Sequence, residues 1–487
     1  MARLNDCRGR SGRSSVARFG LRAYLRTVTN ALQIADRVER PASAEATIET
    51  KVLAQGRKLG QCRRGLRAAK RGAYDRAMAL VAEDPELRAA LFRLVDVAPP
   101  CDGTTELAEH LGAYLEGVAP APMPVRIGSR AVDSSLLGDS SGLIAALAVR
   151  QMASRFIVGE SVPDAARDLR RLWRGGVSTT VDLLGEATLT RAEGEAYADR
   201  CEEALAALAA LAPSWPARPL LEADSVGPIP RVNLSVKVTA LTPLVRPAAP
   251  ERARQDGARH LTRLLRRARD LGAHLHVDME SMDSRELILG LVLDLLDQPE
   301  FAAGPSVGIV LQAYLRDSEE MLDRILERTA ASRRDLPLTI RLVKGAYWDH
   351  ETIEAAQHGW MPPVWTEKAE SDRCFERLTR RLIDAFPMVR TAVASHNLRS
   401  VAHAVAYARE VGLAPADLEV QVLRGLGDDL QDAIAANDLR CRAYCPVGDM
   451  VAGMAYLVRR LLENTSNTSF LASRATGSDL EELLQRP

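Results

Sequence analysis

The chain has 487 residues, more than the roughly 250–300 at which a single hydrophobic core stops growing, so one large domain with accessory structure is expected. Its 64 basic and 64 acidic side chains cancel, which leaves no electrostatic footprint for nucleic acid and favours a small neutral or zwitterionic ligand. No apolar run reaches the ~18 residues that span a bilayer, and the seven cysteines are scattered without metal-ligand spacing; a cytoplasmic protein with reduced thiols, at most peripheral on a membrane, is expected.

Residues 1–45 are read as a basic, disordered tail. Residues 46–118 are read as a helical arm, with "TIETKVLAQGRKLG" and "DPELRAALFRLVDVAPP" carrying apolar residues at three-to-four spacing. A linker at 119–140 contains most of a Pro-rich stretch, "GVAPAPMPVRIG". The main domain is assigned to 141–470 and a C-terminal tail to 471–487. From residue 176 onward, short apolar runs alternate with long Ala/Leu/Arg helices. The eight runs are 178–186, 231–238, 273–280, 307–314, 338–345, 390–397, 418–425 and 440–448, the number and spacing of a (β/α)8 barrel.

Strand phase sorts their side chains. In "VNLSVKVTA" the valines and Leu234 share the face that meets the outer helices, so Asn233, Ser235, Lys237 and Thr239 point into the barrel. Gln312 shares a phase with Val310 and Tyr314, and Arg341 with Thr339 and Val343. Chemistry in such barrels gathers where strands end at the C-terminal face. Lysine is also rare: only six accompany 58 arginines, so a retained Lys237, Lys344 or Lys368 points to a need for a compact ammonium.

"HLHVDME" puts His274, His276, Asp278 and Glu280 on one face. That spacing admits a metal site and hence a metal-dependent barrel hydrolase, or an acid and hydrogen-bonding role for Asp278. "VWTEKAESD" offers Thr366, Lys368 and Ser371 as phosphate or ribose ligands. After the last strand, Arg459 and Arg460 lie about 100° apart on an amphipathic helix that would cover the barrel mouth, where together they can embrace one anion. Glu463, four residues on, can order Arg459 by a helical ion pair. No Gly-x-Gly-x-x-Gly joins a strand to a helix, so a cofactor would be held by the barrel's own loops.

Together, "VNLSVKVTAL", "VDMES", "VLQAY", "RLVKGAYWD", "ASHN", "VQVLRGLGD", "YCPVGD" and "YLVRRLLENTSNTSF" resemble the proline dehydrogenase family, in the form found as the front half of bifunctional proline utilization A. The resemblance implies non-covalent FAD and oxidation of L-proline to Δ1-pyrroline-5-carboxylate by hydride transfer from proline C5 to flavin N5, with electrons passed to a membrane quinone. It implies catalytic roles for Asp278 and Arg341. Arg459 and Arg460 are implied at the substrate carboxylate, Lys237 in binding the substrate, Tyr444 on the proline ring, Ala346 and Tyr347 at the substrate edge, and Glu186 as a gate. The implied FAD ligands are Met279, Gln312, Arg341, Val343, Lys344, Gly345, Ala346, Tyr347, Trp348, Thr366, Lys368, Ser371, Ser395, His396, Gln421, Leu423 and Glu463. Because the chain lacks the aldehyde dehydrogenase half and the DNA-binding ribbon-helix-helix of some relatives, it is expected to complete only the first step, with a separate aldehyde dehydrogenase as a candidate partner. A non-catalytic barrel serving such a partner is the remaining alternative; the intact motif residues argue against it.

Overall fold

Period-two alternation closes into a ring in the computed structural model, which describes residues 42–61, 154–185, 188–449 and 480–487 together with a few single positions between them. The strands are β1 (Val177–Leu183), β2 (Asn233–Val236), β3 (His274–Val277), β4 (Ser306–Gln312), β5 (Leu338–Val343), β6 (Val389–Ala394), β7 (Leu418–Leu423) and β8 (Arg440–Val447). Each pairs in parallel with the next and β8 returns to β1, giving a closed eight-stranded barrel. The outer layer comprises α2 (Val162–Arg174), α3 (Arg191–Leu211), α4 (Pro250–Asp270), α5 (Met282–Leu296), α6 (Ser318–Ala331), α7 (Trp348–His358), α8 (Lys368–Asp384), α9 (Leu398–Glu410) and α10 (Asp428–Ala436). Local signals set their starts: a Thr190/Glu193 capping box opens α3, Ser161 caps α2 ahead of a first-turn proline, and Asn397 caps α9.

One face of each strand builds the core between barrel and helices. Leu234, Val236, Leu275, Val277, Ile309, Ile340, Leu342, Val389, Val393 and Val420 are all buried there. The opposite face fills the interior with an unusually polar set. His274 Nδ1 lies 2.8 Å from Ser306 Oγ, and His274 Nε2 lies 3.3 Å from His276 Nδ1. Arg442 donates to both oxygens of Glu419 at 2.8 and 3.0 Å and to Thr179 O at 2.9 Å. At the N-terminal end Arg390 donates to Asp224 at 2.7 and 2.9 Å.

Gly308 of β4 makes the room for the two imidazoles. A Cβ at this position would stand 2.1 Å from His276 Nδ1 and 3.0 Å from His274 Nε2. Gly308→Ala is therefore expected to lower stability by about 1–3 kcal/mol, the usual cost of overpacking a filled core, read as a fall in the thermal unfolding midpoint. An unchanged midpoint would mean the histidines can move aside.

Outside the barrel, helix α1 (Ala42–Gly60) packs on α9. Its acidic side chains meet barrel arginines: Glu49 accepts from Arg399 at 2.8 Å and Glu45 from Arg380 at 3.2 Å. The C-terminal residues, read as a tail, form a turn of helix at Leu480–Leu483. Leu484 is fully buried, its carbonyl accepts from Arg399 at 3.0 Å, and its side chain packs over Gly56 of α1. No described helix is long and apolar enough to cross a membrane.

Candidate active site

At the C-terminal face the strands end around a cavity of about 310 Å³. Asp278, the residue after β3, is its hub. Its Oδ1 accepts from Ser235 Oγ and Arg341 Nη1, both at 2.7 Å, and its Oδ2 accepts from Tyr444 OH at 2.8 Å with Lys237 Nζ 3.6 Å away. Burial alone would raise its pKa, but Lys237, Arg341 and the hydroxyl donors outweigh that and hold the carboxyl below its ordinary value. Asp278 is thus a buried anion kept ionised by its partners.

Lys237 turns chiefly to Asp182, whose Oδ1 accepts from Nζ at 2.6 Å. Burial pulls the ammonium's pKa down, but Asp182 and Asp278 more than offset it, so Lys237 stays charged. Asp182 moves the other way: burial, with Asp278 nearby, pushes its pKa up despite Lys237. Arg341 crosses the barrel mouth. Its Nε donates to Gln421 Oε1 at 2.7 Å, and the guanidinium carbon sits 5.2 Å from the centre of the Tyr444 ring, a cation–π arrangement. This span is possible because β6, which separates β5 from β7, presents only Ala392 and Ala394 on its inner face at that level.

The rest of the cavity wall comes from the loop after β5, with Val343, Lys344, Gly345, Ala346 and Tyr347, and from Met279, Gln312, Lys368, Ser395, His396 and Leu423. Gly345 has φ +139°, and a Cβ there would meet the Tyr314 ring at 2.3 Å, so only glycine fits that turn. The Lys344 and Lys368 ammonium groups share the carboxylate of Asp372, while the Lys344 carbonyl accepts from Tyr314 N at 2.7 Å. Burial lowers the Lys344 pKa despite Asp372. His396 Nε2 accepts from Leu423 N at 2.8 Å, placing the proton of the neutral ring on Nδ1.

Most of the expected residues therefore converge, but not all. Trp348 opens α7 and turns outward, donating from Nε1 to Trp365 O at 2.9 Å. Thr366 is exposed on the loop before α8, and Ser371, in the first turn of α8, is outside the cavity lining. Glu186, Arg459, Arg460 and Glu463 lie outside the described residues. The structure adds Asp182 and Glu280 to the wall, Ser235 beneath it and Asp372 behind Lys344.

His274 and His276 lie beneath the cavity rather than in its wall. Burial first and the Arg442 charge second bring His274 down to about 3, and Arg341 acts likewise on His276. Two imidazoles flanked by guanidinium groups make a poor cation site, and no cluster of three or more metal-ligating side chains occurs among the described residues.

The family profile described as Proline dehydrogenase matches residues 165–473. The chain belongs to the proline dehydrogenase family. A second profile, Proline utilization A N-terminal domain, matches residues 49–156, so this proline dehydrogenase family member resembles the proline utilization A branch. Bifunctional protein PutA of Salmonella typhimurium is 33% identical over 349 residues, 70% of this chain and 25% of that protein. Proline dehydrogenase of Deinococcus radiodurans is 29% identical over 320 residues, covering 66% of this chain and 88% of that one. Among solved structures, proline utilization A from Bdellovibrio bacteriovorus, inactivated by N-propargylglycine, superposes with TM-score 0.80 at 34% identity, over 90% of this chain and 44% of that chain. The chain thus spans a quarter of the length of the enterobacterial relative and under half of that solved chain.

The wall fits a large polar cofactor. Arg341 Nη2 and Gln312 Oε1 are buried without a hydrogen-bond partner among the described residues, a state that otherwise costs about 1–3 kcal/mol per group. Both residues line the cavity, and Gly345 keeps its backbone free of a side chain. A ligand with hydrogen-bonding edges would satisfy both groups.

Proposed function

We propose that this protein oxidises L-proline to Δ1-pyrroline-5-carboxylate, the first step of proline catabolism, using FAD held non-covalently at the barrel mouth. The observation that carries this reading is the network of Arg341, Tyr444 and Lys237 around an ionised Asp278, beside a cavity with unsatisfied polar groups, in a chain of this family. Bound there, FAD would supply the acceptor for the hydride from C5 of proline. Gln312, Val343 to Tyr347, Lys368, Ser395, His396, Gln421 and Leu423 would hold it, with Met279 at the edge.

The chain's own groups do the rest. Arg341 sets a fixed cation beside the electron acceptor in a site shielded from water, where such a charge acts most strongly. Asp278 holds that guanidinium in place and orients Tyr444, whose ring forms the wall against which a five-membered substrate ring packs. Lys237 faces the substrate carboxylate, with Arg459 and Arg460 completing the clamp. Fixing both ends of the substrate presents C5 in a near-attack geometry. The finer expectations belong to the same proposal: electrons pass on to a quinone at the membrane surface, and an aldehyde dehydrogenase consumes the product.

The visible spectrum of purified protein before and after anaerobic L-proline tests the reading. A flavin band that bleaches with proline is expected. A colourless protein that also fails to take up added FAD would sink the proposal.

A further inference from the structure

We propose that Glu419 is a positioning residue for Arg341, acting through the side-chain amide of Gln421. The proposal rests on the reading that FAD lies beside Arg341. A continuous line of hydrogen bonds crosses the barrel interior below the cavity. Arg442 Nε and Nη2 donate to the two Glu419 oxygens at 2.8 and 3.0 Å, Gln421 Nε2 donates to Glu419 Oε1 at 2.6 Å, and Arg341 Nε donates to Gln421 Oε1 at 2.7 Å. Glu419, Gln421, Arg341 and Arg442 are all buried.

An amide side chain has two faces, and either can be presented to a neighbour. Here Glu419 removes the choice. It is anionic, since Arg442 and Arg440 outweigh its burial, and it accepts only, so the Gln421 NH2 must face it and the carbonyl oxygen must face Arg341. That fixes Nε of the guanidinium. Asp278 and Ser235 fix Nη1, at 2.7 and 3.4 Å. The planar group then has Nη2 left, buried and without a partner among the described residues, for the cofactor. The small inner face of β6, Ala392 and Ala394, leaves nothing else to hold the guanidinium on that side.

The bland reading is that Glu419 merely neutralises Arg442. The two readings separate in Glu419→Gln. Glutamine keeps one acceptor oxygen for three donors and adds an NH2 that repels the Gln421 amide, which then flips and turns its own NH2 on Arg341. Positioning predicts that kcat for proline falls on the order of tenfold, the usual scale for a residue behind the primary ligands, with KM nearly unchanged. It also predicts that the flavin midpoint potential falls, because the guanidinium is misplaced. Simple loss of a negative charge predicts that the potential rises.

The exchange Glu419→Gln/Gln421→Glu conserves net charge and restores the acceptor that faces Arg341: Glu at 421 accepts from Arg341 Nε and from the new amide NH2, whose oxygen keeps the bond from Arg442 Nη2 while Arg442 Nε gives up its own. It is expected to bring kcat back toward wild type. If Glu419→Gln does not fold, Gln421→Met leaves the Glu419–Arg442 pair intact and is expected to lower the potential and kcat by itself. Unchanged kcat, a raised potential in Glu419→Gln, or an exchange no better than that single variant each overturns the relay. A wild type that takes up no flavin overturns the reading of the cavity and the relay together; a wild type bleached by proline beside a failed exchange overturns the relay alone.

Discussion

Asp278→Asn is expected to lower kcat/KM for proline by about 10²–10³-fold, the scale seen when one preorganised electrostatic partner is removed from an active site. One carboxylate at this position accepts three hydrogen bonds, from Ser235, Arg341 and Tyr444, and lies within 3.6 Å of Lys237. Asparagine keeps a single oxygen. Its NH2 must point either at Arg341, which has no acceptor to offer, or at the Tyr444 hydroxyl, which must then turn its proton away. In the first case the guanidinium loses the bond that holds Nη1; in the second the bond to Tyr444 reverses and an amide donor replaces the oxygen that faces Lys237. The loss should appear in kcat as well as KM, because both groups act on the reacting geometry. Flavin content and the unfolding midpoint, measured on the same preparation, separate this from collapse of the fold. A folded, flavin-loaded variant within tenfold of wild type would show that Asp278 has no role in the reaction.

The barrel was legible because eight runs alternate cleanly, and the mismatch at their ends is informative. The expected runs overshoot the hydrogen-bonded ladders at the C-terminal side. The ladders stop at Val236, Val277, Val343 and Ala394, and the next residues are Lys237, Asp278, Lys344 and Ser395. Asp278 and Ser395 each still donate one backbone bond to the neighbouring strand, to Val236 O at 2.9 Å and Gln421 O at 3.2 Å, and all four residues line the cavity where the ladder gives out. A sequence pattern registers extended backbone; it does not register whether a partner strand is still there.

What stayed hidden depends on register. Asp182 shares a face with Ser178 and Thr180, so its inward direction was readable, but its bond to Lys237 requires β1 to lie beside β2, where Asp182 pairs with Ser235. Asp372 stands four residues after Lys368, a readable helical pair, whereas its contact with Lys344 joins α8 to the loop after β5. The gap through which Arg341 reaches Gln421 consists of two alanines, residues that carry no functional signal in sequence. His274 and His276 misled for a related reason: alternation put them inside, but only the register of β4 shows Gly308 facing them and only β8 brings the Arg442 charge alongside.

Those histidines also predict a loss of stability that begins well above the carboxylate range. His274 sits at about 3 in the fold, brought down by burial and then by Arg442, with Arg341 and Arg390 adding to it against the opposing charge of Glu419. His276 and His403 are lowered too, by burial foremost and then by Arg341 and Arg380 respectively. Unfolded, each imidazole titrates near 6.5. A group that binds a proton more readily when unfolded stabilises the fold fully above its unfolded pKa, and that contribution drains away as pH falls toward the folded value. The window for His274 therefore runs from about 6.5 to about 3, and His276 and His403 act in the same direction. Asp278 and Asp372, with pKa values below the ordinary one, withdraw their share only below about pH 4, so they cannot produce the first part of the slope. Denaturant unfolding measured at pH 7.5, 6 and 5 should show a falling midpoint at every step, and replacing His276 by asparagine should flatten it. A midpoint that is level down to pH 5 would mean that these rings take up protons within the fold, which the Arg341 and Arg442 charges beside them oppose.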